Sequence, residues 1–393
     1  RIFLGSARNL LFGKTIDLAM LRLTSRHLCF FLALVFLVQG SVKAADEPSV
    51  DSLLKKLPPP EKLVKSPTDR VLLDAQALVN DRTVQELGKA VTDRNFSRAL
   101  QIARTLAAQR PDNAVAHCLH GVMAFVMHQY GEAAQACHRA IALRSNYGLP
   151  YFGLGLIEVS QGHFAAAVPY FQRLTSLESK DPSPWILLSV CHVRLGQKQK
   201  AMEEAKRATQ VSPASVGGWI QLARTAKAVG NTEETLRALS RAADLLPDSA
   251  YLMAAIGFSY INVNRIPQAI GPLQRAAQFA PNDYLVQAQL GFCLMETGQL
   301  EAGLDHLRKG AHLAPNYPPV YEHLGLAYAK QGRHREAIGA FERATKLQPN
   351  YQHAWQHLAD EYRLAGRPRD AQQAALRAES LARHSPNGHK KQS

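Results

Sequence analysis

Prolines recur along this chain at a fixed step of 34 residues. Pro349, Pro315, Pro281, Pro247 and Pro213 stand in register, the next two steps fall on Ser179 and Ser145, and the seventh lands on Pro111. No insertion breaks the register. A period of this length excludes most globular architectures, because one unit is too small to bury a core and has to pack against copies of itself. Length alone, 393 residues, would otherwise suggest two or three globular domains.

The segment 318–351, PPVYEHLGLAYAKQGRHREAIGAFERATKLQPN, gives the unit its content. Tyr321, Leu324 and Tyr328 share one helical face by their spacing, and Ala337, Phe341 and Ala344 share another. Gly325 lets a second helix approach the first, and Pro349 stops that second helix because it has no N–H for another turn. The glycine slot stays small in earlier units: Gly291, Gly257, Ala223, Ser189, Gly155 and Gly121. The slot of Ala337 reads Gly303, Ala269, Thr235, Ala201, Ala167 and Ala133, with Thr235 the one bulky departure. Trp355, Leu358, Ala359, Tyr362, Ala371 and Ala378 make one further unit after Pro349.

This pattern resembles the tetratricopeptide repeat, W-x2-L-G-x2-Y…A-x3-F…P, with Tyr in place of Trp. The resemblance implies an all-α, right-handed superhelix of helical hairpins, with about nine repeats over residues 80–383. Pro169 and Pro272 fall inside second helices, where each removes one hydrogen bond and is expected to bend the helix.

The flanks read differently. Residues 1–19 carry no pattern and are taken as an upstream over-read before Met20. Residues 20–44 have a basic head (Arg22, Arg26), an apolar run Leu28–Val38 and small residues in Val42-Lys43-Ala44, the signature of a cleaved secretory signal peptide. The run is too short to span a bilayer. A bacterial cell-envelope protein, periplasmic or secreted, is the expectation, with no stable membrane insertion after cleavage. Residues 45–66 are a Pro-rich linker, 67–79 a helix capping the open end of the repeats, and 384–393 a basic disordered tail.

No constellation for catalysis emerges. Cys118, Cys137, Cys191 and Cys293 form no CxxC pair and read as small buried hydrophobes. His353 and His357 with His323 and Glu322 are the best metal candidates, yet HAWQH lacks the glutamate of a zinc-protease helix. They read as polar groove lining. The expectation is a non-enzyme with no cofactor, no metal and no nucleic-acid partner.

The resemblance places first helices on a concave face, at slots two, five, nine and twelve of each repeat. These slots hold Phe125 in repeat 2, Phe152, Leu156 and Val159 in repeat 3, and Ile186 and Val190 in repeat 4. Repeat 5 turns basic with Arg224 and Lys227. Repeats 6 and 7 supply Tyr251, Phe258 and Ile261, then Phe292 and Met295. An apolar stripe with one basic step fits an apolar peptide or helix of another protein carrying an acidic flank. Phe152, Val159, Phe258 and Phe292 are the expected anchors. Two alternatives stand beside this scaffold. One is the recognition arm of a glycosyltransferase-type system, like the repeat region of O-linked N-acetylglucosamine transferases, with its catalytic domain on another chain. The other is a binder of anionic envelope polymer or lipid surface, to which the net charge of +14 would contribute.

Overall fold

A computed structural model describes residues 81–383, together with Asp74, Ala77 and Leu78. The segments expected to be a signal peptide, a linker, most of a capping helix and a basic tail lie outside the described residues. Among the described residues there are eighteen helices and no strand. They form nine hairpins in the predicted register: α1 (Arg82–Thr92) and α2 (Phe96–Gln109), α3 (Ala114–Val126) and α4 (Tyr130–Leu143), α5 (Gly148–Ser160) and α6 (Phe164–Leu177), α7 (Ser183–Arg194) and α8 (Lys198–Val211), α9 (Val216–Val229) and α10 (Thr232–Leu245). Then come α11 (Ala250–Asn262) and α12 (Ile266–Phe279), α13 (Tyr284–Glu296) and α14 (Leu300–Leu313), α15 (Pro318–Lys330) and α16 (His334–Leu347), α17 (Gln352–Leu364) and α18 (Pro368–Arg383).

The chain divides into two compact units, with the boundary between Ala238 and Leu239 inside α10. In the first unit each helix from α1 to α9 packs on the next, and α3 also touches α5 as α7 touches α9. In the second unit the same holds from α11 to α18, with α13 touching α15 and α15 touching α17. Helix α6 contains Pro169 and α12 contains Pro272, and both run unbroken.

The small slots are steric necessities. A Cβ on Gly155 would stand 2.4 Å from the Phe171 ring, and one on Gly325 would stand 2.5 Å from Phe341. Ser189 occupies the same slot in repeat 4 and satisfies its hydroxyl by donating to the Ala201 carbonyl at 2.7 Å. Thr235, the bulky departure, is buried and donates to the Asn231 carbonyl at 2.8 Å.

The aromatic slot does more than fill space. Trp219, Tyr321 and Trp355 each donate to the carbonyl that ends the preceding repeat, at Pro213, Pro315 and Pro349, over 2.8, 3.1 and 3.0 Å. An arginine from the second helix often donates to a carbonyl of the same set. Arg275 reaches Pro247 at 3.1 Å, Arg343 reaches Pro315 at 3.3 Å and Arg377 reaches Pro349 at 3.5 Å. The loop carbonyl of one repeat is thereby tied to both helices of the next, which answers the backbone's need for a partner at a helix C-terminus.

Asp74, ahead of the repeats, is tied to them. Its backbone carbonyl accepts from Asn113 Nδ2 at 2.8 Å, and its carboxylate accepts from the Ala114 N–H at 3.3 Å and pairs with Arg144 at 3.2 Å. Leu78 is buried in the first unit's core.

One slot escaped the sequence reading. The turn between the two helices of every repeat holds a left-handed residue: Gly162, Gly196, Gly230, Gly298, Gly332 and Gly366, but Arg94, His128 and Asn264 in the other three. A side chain strains this conformation by roughly 1–2 kcal/mol. Arg94→Gly should therefore stabilise the chain by about 1 kcal/mol in urea denaturation, and Gly332→Ala should destabilise it by about as much.

Candidate functional site

Slot five is core, and this corrects part of the expected groove. Phe152 is 1% exposed and Ile186 6%. The same slot is buried in every repeat from the second to the eighth, and it is exposed only at Gln356 of the ninth. Met295, at slot twelve, is also core at 1% exposure. There Gly291 and Gly303 let α13 and α14 close to a distance at which a Cβ on Gly303 would meet the Met295 backbone nitrogen at 3.0 Å. Met295 joins Leu304, Leu307 and Leu324 in that core. Phe152, Ile186 and Met295 are packing residues.

What remains is a narrower stripe along slots nine and twelve of the first helices. In the first unit Phe125, Leu156, Val159 and Val190 are half-buried, and so is Val193. Phe125 packs on Tyr130 with ring centroids 5.7 Å apart. Further along the same unit, Arg224 is half-buried and Lys227 exposed. Arg224 Nε is buried with no hydrogen-bond partner among the described residues.

In the second unit Tyr251 is exposed, and Phe258, Ile261 and Phe292 are half-buried. Phe258 and Ile261 pack against the cluster of Ala269, Leu273 and Leu290 and stay partly exposed. Phe292 stacks on the His323 ring at 4.7 Å with 27° between planes. Leu326 holds slot nine of the eighth repeat, half-buried, and lengthens the stripe. It was missed although another step of 34 from Phe292 leads to it.

The candidate metal residues do not converge. His323 is buried beneath Phe292, His357 stacks on Phe341 at 5.5 Å, and His353 is exposed. Glu322 accepts a hydrogen bond from the Tyr351 hydroxyl, which burial and that carboxylate push well above its ordinary pKa. Burial pulls His323 down to about 4, so its ring is neutral at physiological pH. Among the described residues no group of three His, Cys, Asp or Glu side chains is arranged to hold a metal. Cys118, Cys137, Cys191 and Cys293 are free thiols, all buried. Burial pushes Cys137, Cys191 and Cys293 up to about 12 and holds them as thiols. No described helix is long and apolar enough to cross a membrane.

A family model described as the tetratricopeptide repeat matches residues 318–351, and a second of the same description matches residues 152–215. No curated protein matches the chain. Solved structures similar to it include MamA from Desulfovibrio magneticus RS-1, at 21% identity and a TM-score of 0.41, covering 44% of this chain and 97% of that one. YrrB, described as a TPR protein with an unusual peptide-binding site, has 18% identity and a TM-score of 0.44, covering 47% of this chain and 95% of that one. PilF of Pseudomonas aeruginosa has 16% identity and a TM-score of 0.44, covering 52% and 93%.

Proposed function

We propose that this chain, a tetratricopeptide-repeat protein, is a protein–protein interaction scaffold whose first helices hold an apolar segment of another protein. The observation that carries the reading is the stripe of half-exposed apolar side chains at slots nine and twelve. In the second unit Phe258, Ile261 and Phe292 pack against the core while staying partly exposed. The family's packing pattern, read in the small and aromatic slots, does not call for large apolar groups there. An aromatic anchor of this kind contributes about 2 kcal/mol or more to binding. The ligand is an amphipathic helix or an extended peptide. In the first unit, Arg224, with its buried Nε lacking a partner among the described residues, and Lys227 suit an acidic flank of a ligand held by that unit's part of the stripe. The chain acts in this reading by binding, not by catalysis.

Phe258→Ala and Phe292→Ala should each weaken partner binding about thirtyfold, by the same 2 kcal/mol. Binding that survives both changes unaltered would remove the stripe as the docking face. Export through the 20–44 segment belongs to the same proposal and rests on its basic head and apolar run. N-terminal sequencing of the mature protein should begin near Ala45, and a product that keeps Met20 would refute cleavage.

A further inference from the structure

Asn95-Phe96-Ser97 is an asparagine followed, two residues on, by a hydroxyl side chain. This is the acceptor pattern for N-linked glycan transfer, and it carries meaning on a surface turn of an exported chain. No other asparagine of the sequence has Ser or Thr at that distance. So short a match arises by chance in many chains, and its placement in the fold has to decide.

The fold puts this triplet within reach of a transferase. Asn95 lies in the turn between α1 and α2, and Asp93, Arg94, Asn95 and Ser97 are all exposed. Asn95 is the N-cap of α2, its Oδ1 accepting from the Arg98 N–H at 3.1 Å. Its Nδ2 has no hydrogen-bond partner among the described residues, and neither has the Ser97 hydroxyl. The amide oxygen caps the helix and the amide nitrogen is left for chemistry. A sugar joined to Nδ2 leaves Oδ1 in place, so the cap survives the modification. The turn also opens more readily than most. Arg94 holds the left-handed conformation, at φ 56°, that six of the nine repeats give to glycine. Among the described residues repeat 1 has a neighbouring repeat on one side only, and local opening costs least at such an end. Asp93, two residues ahead of Asn95, adds an exposed carboxylate that a cationic groove of the transferase can hold.

Asn231 supplies an internal contrast. It occupies the same slot four repeats on, is exposed, and caps α10 through the Glu234 N–H at 3.1 Å. Thr232 and Glu233 follow it, so its hydroxyl neighbour stands one residue too early. Position and capping are shared, and the acceptor pattern is not.

We propose that Asn95 is an N-glycosylation site of the exported chain, an inference that rests on the export proposed above. The donor is an oligosaccharide joined through its anomeric carbon to a polyprenyl diphosphate. Asn95 Nδ2 attacks that carbon and forms the N-glycosidic bond. The bond from the carbon to the diphosphate oxygen breaks, and its electron pair leaves with the diphosphate. The proton lost from Nδ2 passes to a base of the transferase. The transfer needs neither oxidant nor reductant.

The test is peptide-resolved mass spectrometry of the mature full chain purified from its native host. The peptide that holds Asn95 should carry a whole number of sugar residues, and the peptide that holds Asn231 none. Asn95→Gln and Ser97→Ala should each abolish the increment, and Ser97→Thr should keep it. Ser97→Ala leaves the Asn95 cap in place, so a loss there is a loss of the acceptor and not of folding. A chain cleaved near Ala45 whose Asn95 is unmodified overturns the glycan and spares export. A chain that stays in the cytoplasm with Met20 in place overturns both. An increment that survives Ser97→Ala, or one shared equally by Asn231, also overturns the assignment.

Discussion

Ala269→Glu is expected to unfold the second unit at temperatures where Phe258→Glu leaves it helical. Ala269 has no exposed surface and lies on the inner face of α12. Across the hairpin, Gly257 approaches so closely that a Cβ there would stand 2.6 Å from Leu273. A carboxylate at residue 269 has neither room nor a partner, and burying it costs several kcal/mol, a large fraction of what a domain has in total. Phe258 is only half-buried, so a glutamate there can turn its carboxylate to water. It loses part of one aromatic contact, on the order of 1–2 kcal/mol. Circular dichroism melts of the two variants measure the difference. Equal collapse would mean that Phe258 is core and that the stripe exists for packing.

Acidification should move the two units in opposite directions. Glu178, in the first unit, lies over Gly148, where a Cβ would stand 2.3 Å from its Oε1. Burial and the neighbouring Asp181 carboxylate raise it to about 7. Its folded value lies above the ordinary carboxylate range, so the folded state favours the protonated form. The stabilisation is complete below about 4.5 and is lost as pH rises through about 7, at most about 3 kcal/mol. His323, in the second unit, is the reverse case. Burial lowers it to about 4 from an ordinary 6.5, so stability is complete above 6.5 and falls as pH drops towards 4, again by at most about 3 kcal/mol. Between pH 5 and 6.5 the first unit gains stability on acidification while the second loses it. Glu178→Gln should flatten the first limb and stabilise the chain at pH 8, and His323→Gln should flatten the second. Hydrogen exchange resolved by peptide reads both units in one sample. Parallel slopes in the two units would contradict the assignment of these groups.

The slots that encode backbone contact were readable in advance because their chemistry is narrow. Gly155 faces Phe171 and Gly325 faces Phe341, and nothing larger fits. A period of small residues therefore reports a hairpin with little ambiguity. The groove was less legible, because an apolar side chain has the same identity whether a ligand or the next repeat covers it. Phe152 and Ile186 looked like surface for this reason. Polarity at that slot does not tell the two cases apart either: Glu322 is buried there and Gln356 is exposed. Met295 required the pair Gly291 and Gly303 to be read together, since two small residues facing each other draw the backbones in and close the site above them. The ties from Arg275, Arg343 and Arg377 to loop carbonyls were not legible, because a hydrogen bond to the main chain leaves no mark on its acceptor's identity.

Site-specific photocrosslinking tests the scaffold reading most directly. A benzophenone side chain replaces Phe258 or Phe292 on the stripe, or Gln274 on the exposed face of α12, in the full chain in its native host. Adducts to one recurrent apolar segment of another protein are expected from positions 258 and 292, and none to that segment from position 274. The same segment captured equally from Gln274, or captured there alone, would contradict it.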